Sequence, residues 1–291
     1  MSWRTVVISS NAKLDYQLGF LVIRKESTVK VHINEISVLM LESTAISLTA
    51  CLVSELLKRK IKVIFCDEKR NPCGEVIPYA GSHDSSAKIR EQISWDDVYK
   101  KMVWTEIVAE KLRKQKEFLE KLSKYDEAGL LHTYIEELQF ADVTNREGHA
   151  AKVYFNGVFG KDFTRTMECP VNAALNYGYT LLLSVFNREI VCNGYLTQLG
   201  IFHDNMFNQF NLSSDLMEPF RILVDRMVYQ MKPQKFEHEE KVQMLSVLNE
   251  EIVIADRKEY VLNAIKIYCK GVLNAISERD VSLIRFYQYE L

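Results

Sequence analysis

The hydrophobic period of this chain changes once, near residue 80, and that change limits the possible folds more than any other feature. Before it, apolar residues come in short, β-branched, alternating runs, so 5–8, 20–23, 29–33 and 38–41 each read as a strand. One helix is predicted among them, over 48–60, with Leu52, Val53, Leu56 and Leu57 on its buried face. The run 61–66 reads as a returning strand and 75–78 as a weaker one. A polar stretch, Ala80-Gly81-Ser82-His83-Asp84-Ser85, then marks a boundary.

Beyond Ser86 the period is that of helices. Ile93, Val98, Met102, Ile107, Val108 and Leu112 form one amphipathic face, bordered by Lys100, Lys101, Lys111, Arg113, Lys114 and Lys116. Further helices are predicted over 118–139, 145–159, 171–193, 217–230, 238–248 and 257–277. The expected fold class is α+β: a small β-rich domain over 1–80, a linker at 81–85 and a larger all-α domain over 86–291.

Several function classes are disfavoured. A net charge of -2 supplies no global attraction for nucleic acid, so any DNA contact must come from local Lys and Arg clusters. Cys51, Cys66, Cys73, Cys169, Cys192 and Cys269 form no CxxC pair, which disfavours a zinc knuckle or a disulfide framework. No signal peptide opens the sequence, and the longest apolar run, 177–186, is far short of the roughly 20 residues of a membrane-spanning helix, so a soluble, cytoplasmic protein is expected. GxxxxGK[ST], GxGxxG and GxSxG are all absent, which argues against nucleotide hydrolysis, dinucleotide binding and serine-hydrolase chemistry.

The candidate chemistry lies in Glu147, His203, Asp215 and Glu218, two or three carboxylates and one imidazole on apolar helical patterns. In a helix from Asn145, Glu147 lines up with Ala151, Tyr154 and Val158 and faces the packed side. Thr144-x-x-Glu147 also has the spacing of a capping box, and Asp215 with Glu218 has that of an N-cap and its third helical residue. Two carboxylates on one turn repel each other unless a cation or proton lies between them. One imidazole with carboxylates suits Mg²⁺ or Mn²⁺ better than zinc.

Three segments carry a resemblance: 145–155 (NREGHAAKVYF), 170–182 (PVNAALNYGYTLL) and 215–221 (DLMEPFR). Together with Trp3-Arg4-Thr5-Val6-Val7, Val63-Ile64-Phe65-Cys66-Asp67 and Gly81-Ser82-His83-Asp84-Ser85-Ser86, they resemble the CRISPR-associated integrase and endonuclease family of spacer acquisition, most closely its type II-A members. The likeness covers nearly the whole chain and is weakest over 232–291.

The resemblance implies that Glu147, His203 and Glu218 hold the metal and that Asp215 assists or binds a second ion; the family often has Asp where this chain has Glu218. It implies a homodimer formed through the β-rich domain, joined to a smaller companion protein in a four-to-two heterohexamer on double-stranded prespacer and leader-repeat DNA. A prespacer 3′-hydroxyl would attack a phosphodiester at the repeat by metal-assisted transesterification, with hydrolysis of branched DNA or a non-catalytic DNA-binding scaffold as the competing readings. Arg146, Lys152, Lys161, Arg165, Arg188, Arg221 and Arg226 are candidate phosphate contacts, Arg146 and Arg165 first. Tyr154, Asn172, Asn176 and Tyr177 match positions that line the family's site, or else they are core residues with hydrogen-bonded tips.

Overall fold

The computed structural model describes residues 4–79 and 81–289; Ala80 of the polar stretch and Trp3 of the opening motif lie outside the described residues. The strand-rich part forms two four-stranded sheets. In the first, β1 (Arg4–Ile8), β5 (Ile36–Leu41) and β7 (Lys62–Cys66) run parallel, and β8 (Pro72–Glu75) closes one edge antiparallel. The second has the order β4 (Thr28–His32), β3 (Phe20–Arg24), β2 (Ala12–Gln17), β6 (Ile46–Leu48), antiparallel except between β2 and β6. Helix α1 (Ala50–Lys58) is capped by Thr49, whose hydroxyl accepts the Leu52 N–H at 3.3 Å. Its Leu52 and Leu56 join Val6, Ile8 and Leu39 of the first sheet and Leu14, Leu21 and Ile23 of the second in one core.

All six residues of β5 are buried because the first sheet is covered on both sides. Leu39, Leu41 and Val63 face the core just described, whereas Val38, Met40, Ile64 and Cys66 face the core of the helical part. The helical part consists of α2 (Ser85–Ile93), α3 (Asp97–Lys121), α4 (Tyr125–Glu136), α5 (Arg146–Phe159), α6 (Pro170–Cys192), α7 (Asn211–Leu216), α8 (Arg221–Met231), α9 (His238–Met244) and α10 (Val261–Ser277). At its centre α6 packs against α7, α8, α9 and α10 and lies on β7 and β8. The polar stretch is pinned to this helix, since a Cβ on Gly81 would fall 1.6 Å from the Val191 carbonyl oxygen.

The predicted elements differ from the observed ones in several places, among them the unpredicted strand β6 and helix α7. Strand β2 was not expected because Lys13, Asp15 and Gln17 interrupt it, yet Ala12 and Leu14 alternate with them and point inward. The last strand of the first sheet lies at Pro72–Glu75 rather than 75–78. The helix predicted over 118–139 is the end of α3 followed by α4, broken at Ser123, where φ is 58°. The helix predicted from 257 starts only at Val261, because Ala255 and Asp256, with φ of 50° and 60°, turn β9 (Glu251–Ile254) back into β10 (Arg257–Tyr260). Among the described residues no helix is long and apolar enough to cross a membrane.

Candidate active site

Helix α5 begins in an unexpected way. Asn145 is left-handed, with φ of 53°, and makes no side-chain cap; the Asp142 carboxylate accepts the N–H groups of Arg146 at 2.7 Å and Glu147 at 3.0 Å instead. The capping-box reading of Thr144 and Glu147 is therefore corrected. With its helix start satisfied by Asp142, the Glu147 side chain turns to the Nζ of Lys111, to which it is hydrogen-bonded.

Lys111 comes from α3 and is buried. The same Nζ lies 2.5 Å from Oε2 of Glu218, and the other oxygen of Glu218 lies 2.9 Å from Arg221. Glu218 opens a 3-10 turn, Glu218–Phe220, between α7 and α8. Pro219, unable to donate an N–H, fits that turn and separates the two helices. Asp215 is consequently not an N-cap: it lies inside α7, fully buried, and α8 starts at Arg221 with no side-chain cap.

The carboxylate of Asp215 organises the preceding loop. Its Oδ2 accepts the N–H groups of Ile201 at 2.6 Å and Phe202 at 3.0 Å, and its Oδ1 accepts the N–H of His203 at 3.1 Å. The same Oδ1 lies 2.5 Å from Nδ1 of His203, which fixes the ring and directs Nε2 away from Asp215. Gly200 makes the turn possible, because a Cβ there would lie 2.2 Å from the His203 carbonyl oxygen and 2.8 Å from Asp215. Trp104 of α3 stacks on Phe202 at 4.4 Å and meets His203 edge-on at 5.7 Å.

Charge governs the protonation of these groups. The hydrogen bond to Asp215 raises the His203 pKa despite burial, which acts the other way. Burial would push the Glu218 carboxyl up, but Arg221 and Lys111 outweigh it and hold its pKa below the usual carboxylate range. For Lys111 burial would favour the neutral amine, and the charges of Glu218 and Glu147 reverse that, so it remains an ammonium.

The expected ligand trio is not assembled as a coordination shell. Among the described residues no three His, Cys, Asp or Glu side chains converge closely enough to hold an ion, because the Lys111 ammonium bridges Glu147 and Glu218 while His203 is bound to Asp215. The donor set still fits a hard divalent cation. Two carboxylates already share one positive group, and the imidazole, close enough to Glu218 for their charges to interact, is oriented by a third carboxylate, as metal-binding histidines commonly are.

The other predicted residues are placed differently. Arg221 is at the site, through Glu218. Arg146 pairs with Glu137 at 2.9 Å, and Arg165 is held by Asn172 and, at 2.6 Å, by Asn176, so both leading candidates for phosphate contact are engaged within the protein. Lys152 is exposed on α5. Tyr154 is fully buried and donates to Asp225 at 3.0 Å, Tyr177 is buried with its hydroxyl 3.9 Å from the Met40 sulfur, and Asn172 donates to the carbonyls of Thr164 and Met167. No hydrogen bond among the described residues joins Tyr154, Asn172, Asn176 or Tyr177 to Glu147, His203 or Glu218, and three of the four are core residues.

Sequence reasoning put Lys111 on the solvent border, as it did Lys114, and both are buried. A signal was present: Trp104, Ile107, Lys111, Gln115 and Phe118 recur three or four apart on α3, and all are buried. A lysine inside such a stripe needs acidic partners.

The family model for CRISPR associated protein Cas1 matches residues 5–256. The chain belongs to the Cas1 family. A relative from Neisseria meningitidis serogroup C, named CRISPR-associated endonuclease Cas1, is 34% identical over 235 residues, which is 80% of this chain and 77% of the relative. The fold of this Cas1-family chain is shared by a casposase bound to its integration product, with TM-score 0.76 and 16% identity over 96% of this chain and 92% of that one. It is shared too by a Cas6-RT-Cas1–Cas2 complex, with TM-score 0.73 and 18% identity over 99% of this chain; the Cas1-family chain spans 36% of that longer polypeptide.

Proposed function

We propose that this chain is a metal-dependent DNA integrase of CRISPR adaptation, joining the 3′-hydroxyl ends of a prespacer to a leader-repeat duplex. The observation that carries the reading is the meeting of Glu147 from α5 and Glu218 from the α7–α8 turn at one cationic group, beside an imidazole fixed by a buried aspartate. Family membership and the likeness to a casposase bound to its integration product support it. In this reading Glu147, Glu218 and Nε2 of His203 would hold Mg²⁺ or Mn²⁺, which when bound supplies Lewis-acid stabilisation of charge on phosphate oxygens. Asp215 acts through His203, holding the ring's tautomer and direction. Arg221, braced on Glu218, would steady a phosphate as the attacking 3′ oxygen forms its bond to phosphorus and the leaving oxygen departs.

The assembly that goes with this function is a homodimer formed through the strand-rich part, joined to a smaller companion protein in a four-to-two complex on DNA. The complexed state of one structural neighbour, a Cas6-RT-Cas1–Cas2 complex, supports the companion. Hydrolysis would use the same site with water as the attacking group, and the Neisseria relative is named an endonuclease.

One assay separates these readings. The chain and its companion are given a prespacer with free 3′ ends, a leader-repeat duplex and Mn²⁺. Joined strands are expected, and shortened strands alone would mean hydrolysis. Glu147→Ala and His203→Ala should each lower joining by about a hundredfold or more; unchanged joining in both would remove the proposed site.

A further inference from the structure

We infer that Lys111 is an internal counter-ion that keeps a divalent cation out of this site until DNA phosphate is present. The inference rests on the reading of Glu147, Glu218 and His203 as the ligands of that cation.

Geometry is the first support. The Nζ of Lys111 is bonded to one oxygen of each glutamate, so it fills the space between them and uses the lone pairs a cation would need. The side chain arises from the middle of α3, where Ile107, Val108 and Leu112 are wholly buried and fix the backbone. To admit an ion, the ammonium has to swing away from both carboxylates while the helix stays in place.

Charge is the second. Glu147 and Glu218 are balanced by Lys111 and Arg221 through a chain of three ion pairs, Glu147 to Lys111, Lys111 to Glu218 and Glu218 to Arg221. A divalent ion added to a balanced, largely buried cluster leaves two positive charges without partners. A phosphodiester supplies negative charge at that spot, and the displaced ammonium gains it as a partner. Ion and DNA should therefore bind cooperatively, each raising the affinity for the other by the same factor.

The test is Mn²⁺ binding to the full chain, followed by the electron-spin-resonance signal of free Mn²⁺, with and without a short branched DNA duplex. Without DNA, Lys111→Gln should bind Mn²⁺ about tenfold or more tighter than the parent, while Lys111→Arg, which keeps the charge, should bind as weakly as the parent. DNA should raise the parent's affinity by about tenfold or more and that of Lys111→Gln by less. If the parent binds Mn²⁺ with DNA and Lys111→Gln is no tighter without it, the counter-ion role is overturned and the integrase reading stands. If the parent binds no Mn²⁺ even with DNA, both are overturned.

Lys111→Gln leaves two carboxylates facing each other and could fail to fold. Nitrogen-15 lysine NMR on the parent then decides. The Lys111 ammonium resonance, assigned by its loss in Lys111→Arg, should be present in the DNA-free protein and vanish or shift when Mg²⁺ and DNA are added together. A resonance unmoved in the loaded complex would overturn the inference.

Discussion

Asp225 shows how a single buried residue sets a pH dependence. It is a carboxyl inside the helical core, met by the hydroxyls of Tyr154 and Tyr179, and burial pushes its pKa up to about 6 against those two hydrogen bonds. A pKa above the unfolded value of 3.8 means the folded state holds the proton more tightly. The stability it contributes is complete below pH about 4 and is lost as pH rises through about 6. Asp225→Asn has no such titration. The stability difference between parent and variant, measured by urea unfolding, should therefore fall by about 2 kcal/mol between pH about 4 and about 7; a difference that stays level would show that Asp225 does not titrate in this range. The two tyrosines also show what was legible at this scale. Tyr154 was readable as a core residue with a hydrogen-bonded tip, but its partner lies 71 positions away, and no local pattern names such a partner. Lys111 was misplaced for a related reason: its stripe on α3 was visible, while its two acids lie 36 and 107 positions away.

Among the elements, the change from strands to helices and most of the long helices were legible because their apolar periods run unbroken. What failed were the short strands β2 and β6 and the joints. The hairpin of β9 and β10 turns on Ala255-Asp256, which lacks the usual glycine signal, and the break between α7 and α8 depends on a proline whose effect is set by its surroundings. No element is predicted after 277, yet the segment after α10 braces the candidate site. Tyr287 is buried and donates to the Pro219 carbonyl at 3.0 Å, one residue from Glu218, while its own carbonyl accepts from Lys114 of α3 at 2.6 Å. Gln288 pairs with Val253 of β9 and holds the end of the strap. Tyr287→Phe should cost about 1–2 kcal/mol by leaving the Pro219 carbonyl unpaired, read as a lower urea midpoint with an unchanged slope. No shift in the midpoint would mean that the strap contributes nothing through this bond.

At the scale of the whole molecule, 37 basic side chains face 39 acidic ones, so attraction for DNA cannot come from net charge. If the proposed function holds, binding rests on a few local contacts that release counterions, and the logarithm of affinity should fall linearly with the logarithm of salt concentration. A response that is flat between low and physiological salt would argue against phosphate contacts. The two cores, read from the sequence as two domains, have one wall in common: β5 and β7 present Leu39, Leu41 and Val63 to one and Val38, Met40, Ile64 and Cys66 to the other. Neither half can melt without baring grease that belongs to its neighbour. A calorimetric scan should accordingly record one endotherm, and a fragment ending at the polar stretch should clump in solution; two well-separated peaks, or a fragment that stays monomeric, would mean the partition insulates the halves after all.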